Sequence, residues 1–221
     1  MENYSPDSAP SSDTSPPRPL SALLQEIHGR FSTQTHMTIA ELLEAFHERG
    51  FGFFLFLISL PAAWPFPGLG LHQIAGIPLV VLSWQMMVGN HTLWLPDKFK
   101  LYQMETKLFL KLISHAMPWV KRFENITKPR LAFMTSHPGS NIVGVMGILM
   151  AICITVPFPF SNTLPALCLA VIAIGLLMRD GLAILLGTII GGVWSLMIFG
   201  LIAFFGMEGL SLLHQALTSL F

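Results

Sequence analysis

Residues 65–73 read Pro-Phe-Pro-Gly-Leu-Gly-Leu-His-Gln, "PFPGLGLHQ", and interrupt a long apolar segment. Pro65 and Pro67 each lack an amide donor and clash with the preceding helical turn, so we expect a helix to end near Trp64. Backbone that leaves a helix at membrane depth needs protein or water to satisfy its polar groups. This break therefore marks either a membrane interface or a buried polar site.

The residues after the prolines start a new helix. Gly68 and Gly70 allow backbone angles that other residues avoid, and a helix is predicted from about Leu71. His72 and Gln73 then lie in its first turn, where the partial positive charge of the helix end favours anions. Two interpretations stay open, a substrate-binding site or an interfacial turn whose side chains face headgroups and water.

The composition indicates which solvent surrounds this break. Hydrophobic residues make up 52% of the 221 residues and charged residues only 11%, against roughly 25% charged in soluble domains, and the mean hydropathy is +0.63. Charged residues are absent from 50–96, 131–178 and 181–207, and each stretch exceeds the roughly 18 residues that mark a span candidate. An all-α integral membrane protein is predicted. The net charge of zero gives no reason to expect nucleic-acid binding.

A second region repeats this plan. A shift of 92 residues superposes Pro65-Phe66-Pro67 on Pro157-Phe158-Pro159 and Gly52 on Gly144, and Asn162 follows the second break. The predicted fold is therefore two internal repeats of Pro/Gly-broken helix pairs plus a cytoplasmic amphipathic helix, and paired breaks of this kind point to transporter binding sites. The first helix of each repeat either crosses the membrane or is re-entrant, and the repeats are either parallel or inverted.

Three further polar groups join the candidate site. Gln85 lies inside the second apolar helix, where an amide prefers protein to lipid. Arg179 and Asp180 are a charged pair deep in the second half, and they either bind substrate or form a tight turn in water. The predicted substrate-binding residues are His72, Gln73, Gln85, Asn162, Arg179 and Asp180. No catalytic, metal or cofactor motif is present, so we expect neither enzyme activity nor a cofactor.

The chain divides into five predicted segments. These are a disordered tail rich in Ser, Pro and Asp (1–19), amphipathic lead-in helices (20–49), the first membrane repeat (50–90), a basic amphipathic segment (91–140), and the second membrane repeat with a final span (141–221). In the lead-in, helices are predicted at Leu20–Ile27 and Thr38–His47. Thr38 and Glu41 have the spacing of a capping box.

The basic segment holds eight of the twelve Lys and Arg residues, so the positive-inside rule places it, with the N-terminal tail, in the cytoplasm. Apolar side chains and one histidine recur there on one helical face, at Leu101, Met104, Leu108, Leu112, His115, Trp119 and Phe123. The helix is predicted either to lie on the anionic leaflet or to pack on the protein's own bundle.

The order of these features is distinctive. The run "ELLEAFHERG" (41–50) leads into "FGFFLFLISLPAAWPFPGLGLHQIAGIPLVVLSWQMMVG" (51–89), then "LWLP" (93–96), the basic helix and the second repeat. Over about residues 20–206 this order resembles the bacterial ExoD family. The resemblance implies a multi-pass protein of the bacterial inner membrane that is linked to exopolysaccharide synthesis, without implying a reaction.

Two functions fit these features. The first is a transporter or flippase-like protein that binds a small ion or a lipid-linked saccharide at the broken-helix turns. The alternative is a non-transporting scaffold or regulator of polysaccharide-assembly enzymes. The expected partners are membrane lipids, polysaccharide-assembly proteins and a second copy in a homodimer, which would bury the broken helices of short spans.

Overall fold

The computed structural model describes residues 19–46, 49–63, 71–90, 92–126, 131–135, 137–156 and 161–218, and it confirms the all-α class. Its elements, in chain order, are α1 (Leu20–Phe31), β1 (His36–Thr38), α2 (Ile39–Phe46), α3 (Gly50–Ala62), α4 (Leu71–Met87), α5 (Asp97–Lys100), β2 (Gln103–Glu105), α6 (Thr106–Ile126), α7 (Ala132–Thr135), α8 (His137–Thr155), α9 (Thr163–Met178) and α10 (Gly181–Thr218).

A basal layer is formed by α1, β1, α2, β2 and α6. β1 pairs antiparallel with β2, His36 opposite Glu105. Ile27 of α1 and Phe109 of α6 share one buried cluster, and the Ser21 N–H donates a 2.7 Å hydrogen bond to Glu124 Oε1. The lead-in and the start of the basic segment therefore form one packed unit, although they lie far apart in sequence.

The prediction that a helix already begins near Leu101 is wrong. Gln103–Glu105 form a strand, and the helix begins at Thr106. The reason lies in the partner strand, because β1 offers backbone donors and acceptors to a segment whose side-chain spacing alone fits a helix. In the lead-in, α1 extends to Phe31, beyond the predicted Ile27.

The capping box is confirmed. Thr38 N–H donates to Glu41 Oε2 at 2.8 Å, and Glu41 N–H donates to Thr38 Oγ1 at 3.2 Å, so two orphan amides at the start of α2 are satisfied. The bond from the Thr38 amide lowers the pKa of the Glu41 carboxyl, because it favours the charged form. The contribution of this cap to stability is therefore present near neutral pH and is lost as pH falls through the lowered pKa.

Four helices of 13 to 19 residues form two hairpins, α3–α4 and α8–α9. The first helix of each hairpin packs on the second helix of the other hairpin. The most extensive packing of α3 is on α9, and that of α4 is on α8. Gly52, near the start of α3, lies against Leu177 near the end of α9. Gly144, near the start of α8, lies against Met87 at the end of α4. Each pair is therefore antiparallel, and the core between them buries Leu79 completely.

These contacts define two ends of the bundle. We call the end at which Gly50 of α3 lies against Leu43 of α2 the basal end. The starts of α3 and α8 and the ends of α4 and α9 lie there. At the distal end, Gly76 of α4 lies against Ala151 and Thr155 of α8. The hairpins α3–α4 and α8–α9 therefore point the same way.

The last helix, α10, packs antiparallel on α9, with Gly187 against Ile172 and Gly175 against Ile184. Ile198 is still buried, whereas Phe204 is exposed. By its length and apolar composition, the stretch Gly181–Gly206 could cross a membrane, and it alone meets that criterion among the described residues. The other four bundle helices are apolar but shorter.

Candidate functional site

Two of the predicted binding residues lie at the distal end. Gln73 lies in the first turn of α4 and is half-buried, and Asn162 immediately precedes α9 and is also half-buried. Both helix starts lie at this end because Gly76 contacts Thr155. The side chain of His72 and the turn residues Pro65, Pro67, Gly68, Gly70, Pro157 and Pro159 lie outside the described residues.

Hydrogen bonds fix Ser161, the residue that directly precedes Asn162. Ser161 is buried, and its hydroxyl donates a 2.8 Å hydrogen bond to the Val156 carbonyl. The Cys153 thiol donates to the Ser161 carbonyl at 3.3 Å. Asn162 makes no side-chain cap bond to the helix, and its Oδ1 accepts a long 3.4 Å bond from Thr163 Oγ1. Its Oδ1 therefore does not cap α9, and the side-chain amide is left to meet a ligand.

Gln85 lies at the basal end and has a structural partner. Its Oε1 accepts a 2.7 Å hydrogen bond from the Trp94 N–H, and its Nε2 donates a 3.0 Å bond to the Trp94 carbonyl. The side chain is buried. The oxygen and the nitrogen of the Gln85 amide therefore both hold the chain that leaves α4. This contact lies about 18 Å from Gln73 along the helix axis.

Arg179 and Asp180 form the turn between α9 and α10, also at the basal end. Arg179 has φ 56° and ψ 35°, the left-handed conformation that commonly ends a helix. Asp180 Oδ1 accepts a 2.9 Å hydrogen bond from the Leu182 N–H at the start of α10. Both side chains are half-exposed. This arrangement matches the turn interpretation of the pair.

The six predicted residues therefore divide into two groups at opposite ends of the bundle. The distal group contains His72, Gln73 and Asn162, by their positions at the starts of α4 and α9, and the basal group contains Gln85, Arg179 and Asp180. One pocket cannot contain both groups. Among the described residues no set of three His, Cys, Asp or Glu side chains could hold a metal ion.

Sequence reasoning missed the role of Trp94. Its backbone is the partner of Gln85, and a backbone partner in a loop leaves no residue-type signal. Reasoning from the sequence also aligned Gly52 with Gly144 without indicating why both are glycine. The structure shows that each lies at a close helix crossing, where a side chain would meet the facing helix.

Comparison with known proteins points to one family. The family model described as "Exopolysaccharide synthesis, ExoD" matches residues 20–200. An uncharacterized protein from Synechocystis sp. is 29% identical over 198 residues, covering 88% of this chain and 93% of the relative. Protein ExoD from Rhizobium meliloti is 26% identical over 186 residues, covering 79% of this chain and 75% of the relative. No solved structure matches.

Proposed function

The chain belongs to the ExoD family of exopolysaccharide synthesis, and on this premise we propose that it acts in the bacterial inner membrane as a transporter or flippase-like protein. Its ligand would be a small ion or a lipid-linked saccharide, bound at the distal end by Gln73 and Asn162 together with His72. The basal layer and the N-terminal tail would be cytoplasmic, because the basic segment belongs to that layer.

Membrane insertion of all five bundle helices is supported by their outer surfaces. Ile74, Ile77 and Trp84 of α4 are 56% to 69% exposed, and Val193 and Leu196 of α10 are also exposed. Such a surface is costly in water and ordinary in lipid. The hairpin helices reach only about 20 to 28 Å at 1.5 Å per residue, so a thinned bilayer or a shallow entry accompanies them.

The exchanged packing of the hairpins carries the proposal. Gly52 and Gly144 are related by 92 residues, and each lies against the second helix of the other hairpin. Those second helices, α4 and α9, also begin 92 residues apart, at Leu71 and Thr163. Such a pattern is expected of parallel repeats related by an axis along the membrane normal.

The chemistry of the distal end is suited to a ligand that is held by uncharged hydrogen-bonding groups. The described residues of the bundle interior contribute hydroxyls and amides there, with Ser161 bonded to its own turn and Asn162 not engaged in capping. Amide groups donate and accept, so they can pair with saccharide hydroxyls or replace water around an ion. The repeats would then move against each other to open the site to either side.

The test is complementation of exopolysaccharide export in a strain that lacks the gene. We expect His72→Leu combined with Gln73→Leu, and separately Asn162→Leu, to lower export at least about tenfold, as loss of roughly 1.4 kcal/mol of binding would. The matched control is Gln103→Leu, which makes the same change at an exposed position of β2. Both distal variants must accumulate as folded protein.

Full export by folded distal variants would contradict the transport proposal. The function would then be that of a scaffold or regulator of polysaccharide-assembly enzymes, in which the distal turns need no polar side chain. The two outcomes are separated by one assay because Gln103→Leu reports any effect of the substitution type alone.

A further inference from the structure

The helix α6 of the basal layer presents three different surfaces around its axis. On the inner face of α6, Phe109 and Ile113 are buried against α1. The outer ridge, defined by Leu108, Leu112, Trp119 and Phe123, is exposed, with Trp119 at 62%. At 100° per residue these four side chains span about 60° of the helix surface. The ridge lies beside the inner face, so α6 packs on the protein and keeps an apolar flank uncovered.

Cations border the ridge on its other side. Lys107, Lys111, Lys121 and Arg122 are all exposed, and the helical spacing puts Lys111 and Arg122 next to the ridge. The acidic residue Glu124 lies toward the inner face, where it accepts the Ser21 N–H. Protein contact, apolar ridge and cations therefore follow one another around α6, which is the arrangement of a helix that lies in a membrane interface.

The level of α6 along the bundle agrees with an interfacial position. The Phe53 ring, in the first turn of α3, packs edge-on against the Phe109 ring at 6.2 Å between centroids. Phe56, two turns into α3, packs against the same cluster. Thus α6 lies beside the start of α3 rather than beneath it. If α3 enters the membrane there, the headgroups are the neighbours of α6.

We propose that the outer ridge of α6 is a lipid-contact surface that selects anionic phospholipids of the cytoplasmic leaflet. The ridge reaches the acyl-chain boundary, and Lys111 and Arg122 bind the phosphate and headgroup charges above it. This inference rests on the membrane insertion proposed above, and it is independent of whether the distal end transports a ligand.

The test uses the full chain with one tryptophan, reconstituted in vesicles of phosphatidylcholine and phosphatidylglycerol. One protein keeps only Trp119 and the control keeps only Trp84, which is exposed near the end of α4, with the other tryptophans changed to Phe. Quenching is compared between vesicles in which only the phosphatidylglycerol, or only the phosphatidylcholine, carries brominated chains. We expect brominated phosphatidylglycerol to quench Trp119 roughly twofold more strongly, since each cation at an anionic surface favours binding about fivefold.

The control protein and a charge reversal make the result specific. Trp84 should be quenched equally by both lipids, and Lys111→Glu with Arg122→Glu should abolish the preference at Trp119. An unquenched Trp119 beside a quenched Trp84 would overturn the inference and indicate a protein or a second copy on the ridge. Equal quenching of Trp119 by both lipids would also overturn it. If neither tryptophan is quenched, membrane insertion itself is wrong and the lipid contact with it.

Discussion

Gly144→Ala is expected to be among the most destabilising single changes in the chain. A Cβ at this position would lie 2.6 Å from Met87 Cα and 2.8 Å from the Ser83 carbonyl oxygen. Because these are backbone atoms, no side-chain rotation relieves the clash, and α4 and α8 must move apart. Overpacking of this kind costs about 1–3 kcal/mol, and close helix approach is a main source of affinity between membrane helices.

The measurement is the midpoint of unfolding of the purified full chain in mixed detergent micelles on titration with a denaturing detergent. Gly200→Ala is the matched control, since a Cβ there meets nothing within 4 Å, and it should leave the midpoint unchanged. Gly52→Ala should be intermediate, because its nearest neighbour, Leu177 Cγ at 3.0 Å, belongs to a side chain that can shift. Equal midpoints for Gly144→Ala and Gly200→Ala would show that α4 and α8 are not closely packed.

The second large effect is expected from Gln85→Leu. The change removes both hydrogen bonds between the buried Gln85 side chain and the Trp94 backbone, and a hydrogen bond of this kind contributes about 0.5–1.5 kcal/mol. The unfolding midpoint should therefore fall. Gln85→Glu keeps the acceptor for the Trp94 N–H and loses the donor to its carbonyl, so it should be destabilised as well.

Gln103→Leu again serves as the control, since this glutamine is exposed and should tolerate the change. The combination that contradicts a structural role for Gln85 is a wild-type midpoint with loss of exopolysaccharide export. That result would return Gln85 to the substrate-binding residues, and the site would then have to extend to the basal end.

Much of the helix plan was predictable because it depends on local chemistry. The apolar runs on either side of residues 65–67 and 157–159 predicted two pairs of helices, and four helices occupy those runs. The capping box at Thr38 and Glu41 was predictable for the same reason, since both partners lie three residues apart.

Features that depend on distant partners were not predictable. The strand at Gln103–Glu105 exists because His36–Thr38 pairs with it, and the Leu101–Leu108 spacing alone favours a helix. The direction of the two hairpins was also open, because apolar periodicity carries no information on which helix ends meet. The contacts of Gly52 with Leu177 and of Gly144 with Met87 supply that information.

The candidate site was only partly predictable for a related reason. Residue type picked out Gln85, Arg179 and Asp180 as polar groups in apolar surroundings, and each has a local task at the basal end, in a loop anchor or a turn. Gln73 and Asn162 remain candidates for the site. Gln73 lies in the first turn of α4 and Asn162 directly precedes α9, so both are at the distal end of the bundle.

In the proposed topology, both hairpins enter the membrane from one side and carry their turns to the other. Its most direct test is thiol labelling of intact cells with a membrane-impermeant reagent, in full-length protein with Cys153→Ala and Cys168→Ala. Gln73→Cys and Asn162→Cys should be labelled on intact cells, and Gln103→Cys only after permeabilisation. Labelling of Gln73→Cys and Asn162→Cys from opposite sides, or of both only after permeabilisation, would contradict this topology.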